Sequence, residues 1–253
     1  SIAWVFTIYV LFNLMGAPIM AKLSDRIGRR VVYTLDVGLF ALGSLIVATS
    51  GHFTQLIIGR AVQALGASGI FPVASAVIGD TFAPEKRGRA LGLIGAVFGV
   101  AFLLGPLLAA LLLRFSWHWL FLINLPIAAI LAIAGLRVLP SKKQANPAPF
   151  DFAGAFFLSL ALGGLALGIS FVDSAHLAAS LASTSVWPFL LVAVIAFLIL
   201  LPVERRAADP VLRPSWFTSR QVKLVALFSA GAGLGEAAMV FIPDLAVSSL
   251  GIT

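Results

Sequence analysis

Charge is what this sequence has least of. Asp, Glu, Lys and Arg make up 11% of its 253 residues, apolar residues make up 60%, and the mean hydropathy is +1.07. A soluble domain carries about 25% charged residues, so this chain has too few to cover a water-facing surface. Cysteine is absent, which removes disulfides and thiolate metal ligands and says nothing of compartment. The three histidines, His52, His118 and His176, fall far apart in segments expected as outer loops. Neither a histidine metal cluster nor a Ser-His-Asp triad is expected from them. No glycine-rich loop ends in Lys-Ser or Lys-Thr, so there is no cradle for nucleotide phosphates. The start of the chain has no charged n-region or cleavage site of a signal peptide. These absences point away from an enzyme and from any bound metal or organic cofactor.

What is abundant is apolar residues in uninterrupted runs of about 18 to 25, enough for a helix to cross a hydrocarbon core of about 30 Å. The runs do not alternate, which excludes a β-barrel, and backbone groups in lipid must pair within their own segment. The expected fold is an all-α membrane protein, a helical bundle with about eight transmembrane spans. Hydropathy and loop punctuation place them at 4–22, 31–50, 53–79, 89–112, 119–138, 152–172, 186–203 and 223–247.

The basic residues sort by loop. Lys22, Arg26, Arg29 and Arg30 share one; Lys86, Arg87 and Arg89 the next; then Arg137, Lys142 and Lys143; then Arg205, Arg206, Arg213, Arg220 and Lys223. Of the 17 basic residues only Arg60, inside a span, and Arg114, on the other side, fall elsewhere. By the positive-inside rule the rich loops are cytoplasmic. The net charge of +7 therefore reflects topology and anionic lipid; the expected partner is the bilayer, not nucleic acid. This sidedness puts both chain ends outside, so the expectation is an internal segment with a helix before it and more after it. Residues 1–139 read as an N-terminal helix bundle lacking its first helix. Residues 140–150 read as a cytoplasmic linker ending in Asp151, a helix N-cap. Residues 151–203 form two further spans, 204–222 a cytoplasmic or interfacial segment, and 223–253 the first helix of a second bundle.

The tightest turn reads Ala21-Lys22-Leu23-Ser24-Asp25-Arg26-Ile27-Gly28-Arg29-Arg30. Gly28 suits a left-handed turn position. Asp25 sits at a helix C-terminus, where the dipole disfavours an anion, so Arg29, Arg30 or another helix's N-terminus must compensate. The bland reading is a solvated basic turn. The loop resembles that of the major facilitator superfamily between its second and third helices, G-x-x-x-D-R-x-G-R-R, with Ala21 for the first glycine. The resemblance implies a conformational latch made by Asp25, Arg26, Gly28, Arg29 and Arg30, with Asp80 at the same end of the third span positioned to join it.

A guanidinium inside a span costs several kcal/mol, of order 2.5–3.5 on insertion scales, so Arg60 needs partners. Gln63 lies on the same face. Either Arg60 is bonded structurally to backbone carbonyls of a neighbouring helix, or it works in transport. The run Leu56-x-x-x-Arg60-x-x-Gln63-Ala64-x-Gly66-Ala67 resembles the superfamily's fourth-helix motif, which implies a part in proton transfer. The next span carries Gly92, Gly95, Gly99, Gly105-Pro106 and Ala109-Ala110. Small residues allow close helix approach, and Pro106 should kink the helix. Gly92, Ala101, Gly105, Pro106, Ala109 and Ala110 resemble the fifth-helix antiporter signature, G-x8-G-x3-G-P-x2-G-G. That similarity implies exchange rather than uptake. Trp117 to Pro126 supplies interfacial aromatics and is similar to the W-R-W-x-F-x-x-N-x-P stretch of the fourteen-helix drug:proton antiporter branch, with His118 for Arg.

Intramembrane carboxylates are proton-relay candidates by default: Glu236 near the middle of the last span, and Asp36 and Asp244, which lie nearer an interface. The resemblance covers helices two to nine of the fourteen-helix pattern. It implies a bacterial inner-membrane protein that uses the proton gradient to export small amphipathic compounds by alternating access, with an outer-membrane adaptor left open. Trp4, Tyr9, Phe12, Asn13 and Gln63 are candidates for its substrate path. A dedicated carrier of one metabolite in the same superfamily is the nearer alternative; a membrane sensor or scaffold that moves nothing is the distant one.

Overall fold

In the computed structural model the described residues are 3–141, 149–172, 177–181, 183–213 and 218–250, with side-chain surroundings left out at 177–178 and 236–250. They are helical throughout their ordered elements. α1 is Ala3–Ile27, α2 Arg29–Ala48, α3 Phe53–Thr81, α4 Pro84–Leu113, α5 Trp119–Leu122, α6 Asn124–Val138, α7 Phe152–Ser170, α8 Leu177–Leu181, α9 Trp187–Arg206 and α10 Arg220–Leu250. Counting α5 and α6 as one span, seven of the described helices are long and apolar enough to cross a membrane. The eighth expected span, 223–247, falls within α10, whose second half carries no described side chains. The fold is the expected all-α bundle.

Local chemistry sets the ends. α1 and α2 are divided by Gly28 alone, at φ 101° and ψ 146°, backbone that an L side chain rarely adopts. The helix thus turns back without a loop. His52 caps α3 by accepting from the Gln55 amide at 3.2 Å, a role the sequence reading did not give it. Pro84 opens α4 in its first turn, where no amide partner is needed. Asp151 caps α7 by accepting from Gly154 N at 2.7 Å, as its place before an apolar run predicts. Pro18, Pro72, Pro106 and Pro202 lie inside α1, α3, α4 and α9, and each helix runs on through them.

The chain divides into two compact units, Ser1–Val211 and Leu212–Thr253. In the first, α3 packs against both α1 and α2, α6 covers another face of α2, and the α7–α9 hairpin rests on α1. The α2–α3 contact is backbone on backbone. A Cβ on Gly43 would fall on the Gln63 backbone, and one on Gly66 would meet the Phe40 amide and the Asp36 carbonyl. Small residues thus replace the hydrophobic drive that lipid does not provide. α7 is pinned to α1 by Ser159 Oγ donating to the Met15 carbonyl at 3.0 Å. The second unit consists chiefly of α10, about 46 Å long at 1.5 Å per residue.

α4 behaves differently. None of its residues is buried, and Cβ atoms at Gly92, Gly95, Gly99 and Gly105 would have nothing within 4 Å. The close approach expected at Gly95 and Gly99 is therefore not made among the described residues; glycines on α1, α2, α3, α6 and α7 make such contacts instead. Gly43→Val should destabilise the full-length protein by about 1–3 kcal/mol through overpacking, while Gly99→Ala should change it by less than about 0.5 kcal/mol. Thermal unfolding in lipid nanodiscs checks both; equal losses would contradict the α2–α3 contact.

Candidate functional site

Arg60 sits on α3 facing α1, one turn before Gln63. Its Nε donates to the Val5 carbonyl of α1 at 3.2 Å, and its Nη1 donates to Gln63 Oε1 at 2.6 Å. The guanidinium lies over the Tyr9 ring, 4.1 Å from the centroid, with the Phe121 ring at 5.8 Å. A cation over an aromatic face out of water gains on the order of 1–2 kcal/mol, which offsets part of the cost of holding Arg60 in the span. Gln63, only 2% exposed, turns its amide nitrogen to Ser44 Oγ at 2.7 Å. Ser44 in turn receives Asn124 Nδ2 at 3.5 Å. One polar chain therefore links α1, α3, α2 and α6 through the apolar interior. Both readings of Arg60 meet in it: the carbonyl bond to a neighbouring helix is present, and so is a side-chain network. Ser44 and Asn124 are members that sequence reasoning missed. Asn124 had a signal, its place in the Trp117–Pro126 stretch; Ser44 had none beyond its helical register.

At the end of the bundle that carries the basic turn a second cluster forms. Arg29 Nη1 approaches Asp25 Oδ1 at 2.5 Å and donates to Ser24 Oγ at 2.6 Å, while Nε donates to Asp80 Oδ2 at 3.1 Å. Arg29 is thus the cation that compensates Asp25 at its unfavourable helix end. One guanidinium ties the ends of α1, α2 and α3. Arg30 serves elsewhere, donating to the Leu139 carbonyl at 2.7 Å beyond α6. Lys22 pairs with Asp209 and donates to the Pro210 carbonyl.

The remaining candidates are dispersed. Tyr9 and Gln63 adjoin Arg60, but Trp4 packs edge-on against Phe171, centroids 5.7 Å apart. Phe12 and Arg26 line a cavity of about 510 Å³ between α1 and the start of α7, with Met15, Phe152 and Phe156. Asn13 is half-buried on α1. Asp36 is wholly buried between α2 and α3, two helical turns from the start of α2 at Arg29. Ala101, Gly105, Pro106, Ala109 and Ala110 follow Gly92 along the unburied α4. The side chains of Glu236 and Asp244 lie outside the described residues. Among the described residues no group of three His, Cys, Asp or Glu could hold a metal ion.

The two clusters should differ in energy. Asp25 and Asp80 are 48% and 57% exposed, so a double-mutant cycle on Arg29 and Asp80 should give a coupling of about 0.2–1 kcal/mol. Gln63→Leu leaves Arg60 and Ser44 short of a partner in the interior and should cost about 1–3 kcal/mol. Unfolding of the full-length variants in nanodiscs measures both, and a surface coupling larger than the Gln63 loss would reverse the assignment.

The profile of the Major Facilitator Superfamily matches residues 1–253. An uncharacterized MFS-type transporter of Bacillus subtilis, YfiU, is 39% identical over 256 residues, covering 99% of this chain and 49% of the relative. The multidrug transporter protein MdtP of the same species is 31% identical over 99% of this chain and 46% of its own length. Its multidrug resistance protein 3 is 34% identical over 86% and 42%. The chain thus spans about half the length of the curated relatives it matches. The crystal structure of the human organic anion transporter MFSD10 (TETRAN) superposes with a TM-score of 0.53 at 25% identity, over 66% of this chain and 39% of that one. Backbone, buried polar chain and sequence agree: the chain is an integral membrane protein and belongs to the Major Facilitator Superfamily.

Proposed function

We propose that this chain is part of a proton-driven exporter of small amphipathic compounds, working by alternating access in a bacterial inner membrane. The observation that carries the reading is the Arg60 network. A guanidinium, a carboxamide and two further polar side chains inside a span are costly in lipid and mark ion or substrate paths by default. Arg60 is held on one side by α1 and on the other by Gln63, so a change in charge beside it moves the α1–α3 contact. A carboxylate brought next to it stays ionised; protonation of that carboxylate releases the guanidinium. The Arg29 tie to Asp25 and Asp80 acts as the latch, closing the cytoplasmic ends of three helices in one state and opening in the other. The Gly105-Pro106 helix supports exchange over uptake, and the names of the two multidrug relatives support drug-like cargo. Tyr9, Gln63, Phe12, Trp4 and Asn13, with Glu236 as a counter-charge, would line the path at different stages. Each proton moved down a potential of about 100 mV supplies about 2.3 kcal/mol.

Efflux of a fluorescent cationic dye from energised cells expressing the full-length protein tests this. Expression should lower dye accumulation, a protonophore should abolish the effect, and Arg60→Ala should reduce efflux at least tenfold, about 1.4 kcal/mol or more. Arg60→Lys should not restore it, because a point charge lacks the planar fork that reaches Val5 and Gln63 together. Undiminished efflux after the protonophore would rule out proton coupling. Activity on one compound of a broad panel would favour the dedicated-metabolite carrier instead.

A further inference from the structure

We infer that Asp36 is a second proton-binding site, separate from Arg60, sealed in the seam between α2 and α3. Its side chain is 0% exposed, and neither carboxyl oxygen has a hydrogen-bond partner. Gly69 of α3 lies directly over the carboxyl, so that a Cβ there would land on Asp36 Oδ2, with Met20 of α1 beside it. The charged groups on the surrounding helices are engaged or remote. On α2 itself, Arg29 is bound to Asp25, Ser24 and Asp80, and Arg30 to Leu139. On α1, Lys22 is bound to Asp209 and Arg26 faces the α1–α7 cavity. On α3, Arg60 is bound to Val5 and Gln63. On α6, Arg137 is in the last turn, and Tyr33 of α2 packs on Gly135.

An ionised carboxylate in such a place would be uncompensated, at a cost that proteins avoid by neutralising the group. A metal cation needs about six oxygen ligands; Asp36 meets glycine and methionine. A proton needs neither ligands nor room. The carboxyl is therefore the neutral acid while Gly69 closes over it. It ionises when α3 draws away and water enters, and the seam closes again only after a proton returns. Asp36 lies two helical turns from Arg29, about 10 Å, so the exchange is with the side that carries the basic loops. The site stands on this geometry; its use in transport rests on the proton-driven reading above.

Thermal unfolding of full-length wild type and Asp36→Asn in nanodiscs, without substrate or gradient, tests the site. Asparagine is the neutral isostere of the acid, so the variant should fold. The native wild type keeps a proton that its unfolded chain gives up, so its stability falls as pH rises above the ordinary carboxylate range of about 4. Asp36→Asn should remove one proton's worth of that slope, rising relative to wild type with pH. Infrared difference spectra should assign to Asp36 a protonated carboxyl stretch at neutral pH. A variant that fails to fold, an unchanged slope or a carboxylate band at Asp36 would each overturn the proposal. None of these readouts depends on flux, so they stand apart from the dye experiment.

Discussion

Backbone contact between α2 and α3 is the constraint on which the other interactions depend. With Gly43 against Gln63 and Gly66 against Phe40 and Asp36, the two helices meet closer than side chains would permit. That closeness brings Ser44 within 2.7 Å of Gln63, shuts Asp36 off from solvent, and sets Arg29 opposite Asp80. Lipid offers no hydrophobic gain for bringing apolar helices together, so packing and interhelical hydrogen bonds must supply it. The same seam therefore provides cohesion and aligns Gln63 with Ser44 and Arg29 with Asp80.

Polarity is arranged in tiers along the bundle axis. Arg29 with its two carboxylates occupies the end that carries the basic turn, Asp36 the level above it, and the Arg60, Gln63 and Ser44 chain the level beyond. The surface tier is wet and weakly coupled; the inner ones are dry, where an unmet group is far more costly. A helix displacement that opens one tier need not open the next.

Much of this was legible in the sequence because the bilayer imposes a length. Runs long enough to cross it placed eight spans, and seven described helices have the length and composition to be such spans. Arg60 and Gln63 were legible as a pair because helical spacing puts them on one face. Ser44 and Asn124 were not, since their meeting depends on how α2 and α6 are rotated about their axes, which no local pattern records. Asp36 was visible as an intramembrane acid, but its carboxyl is covered by Gly69, far along the chain in α3. The same residue type misled on α4, where the spacing of Gly95 and Gly99 promised contact and the helix stands unburied. Glycine permits close approach; only a partner makes it happen.

The pairing of Lys22 with Asp209 and Pro210 joins positions 188 apart in the chain. During synthesis, α1, α2 and α3 leave the ribosome and can associate long before residue 209 exists. Lys22 must spend that interval at the membrane surface, its stem in the apolar layer and its ammonium among headgroups. The carboxylate of Asp209, just past the end of α9, can take up that ammonium only once α9 has been made.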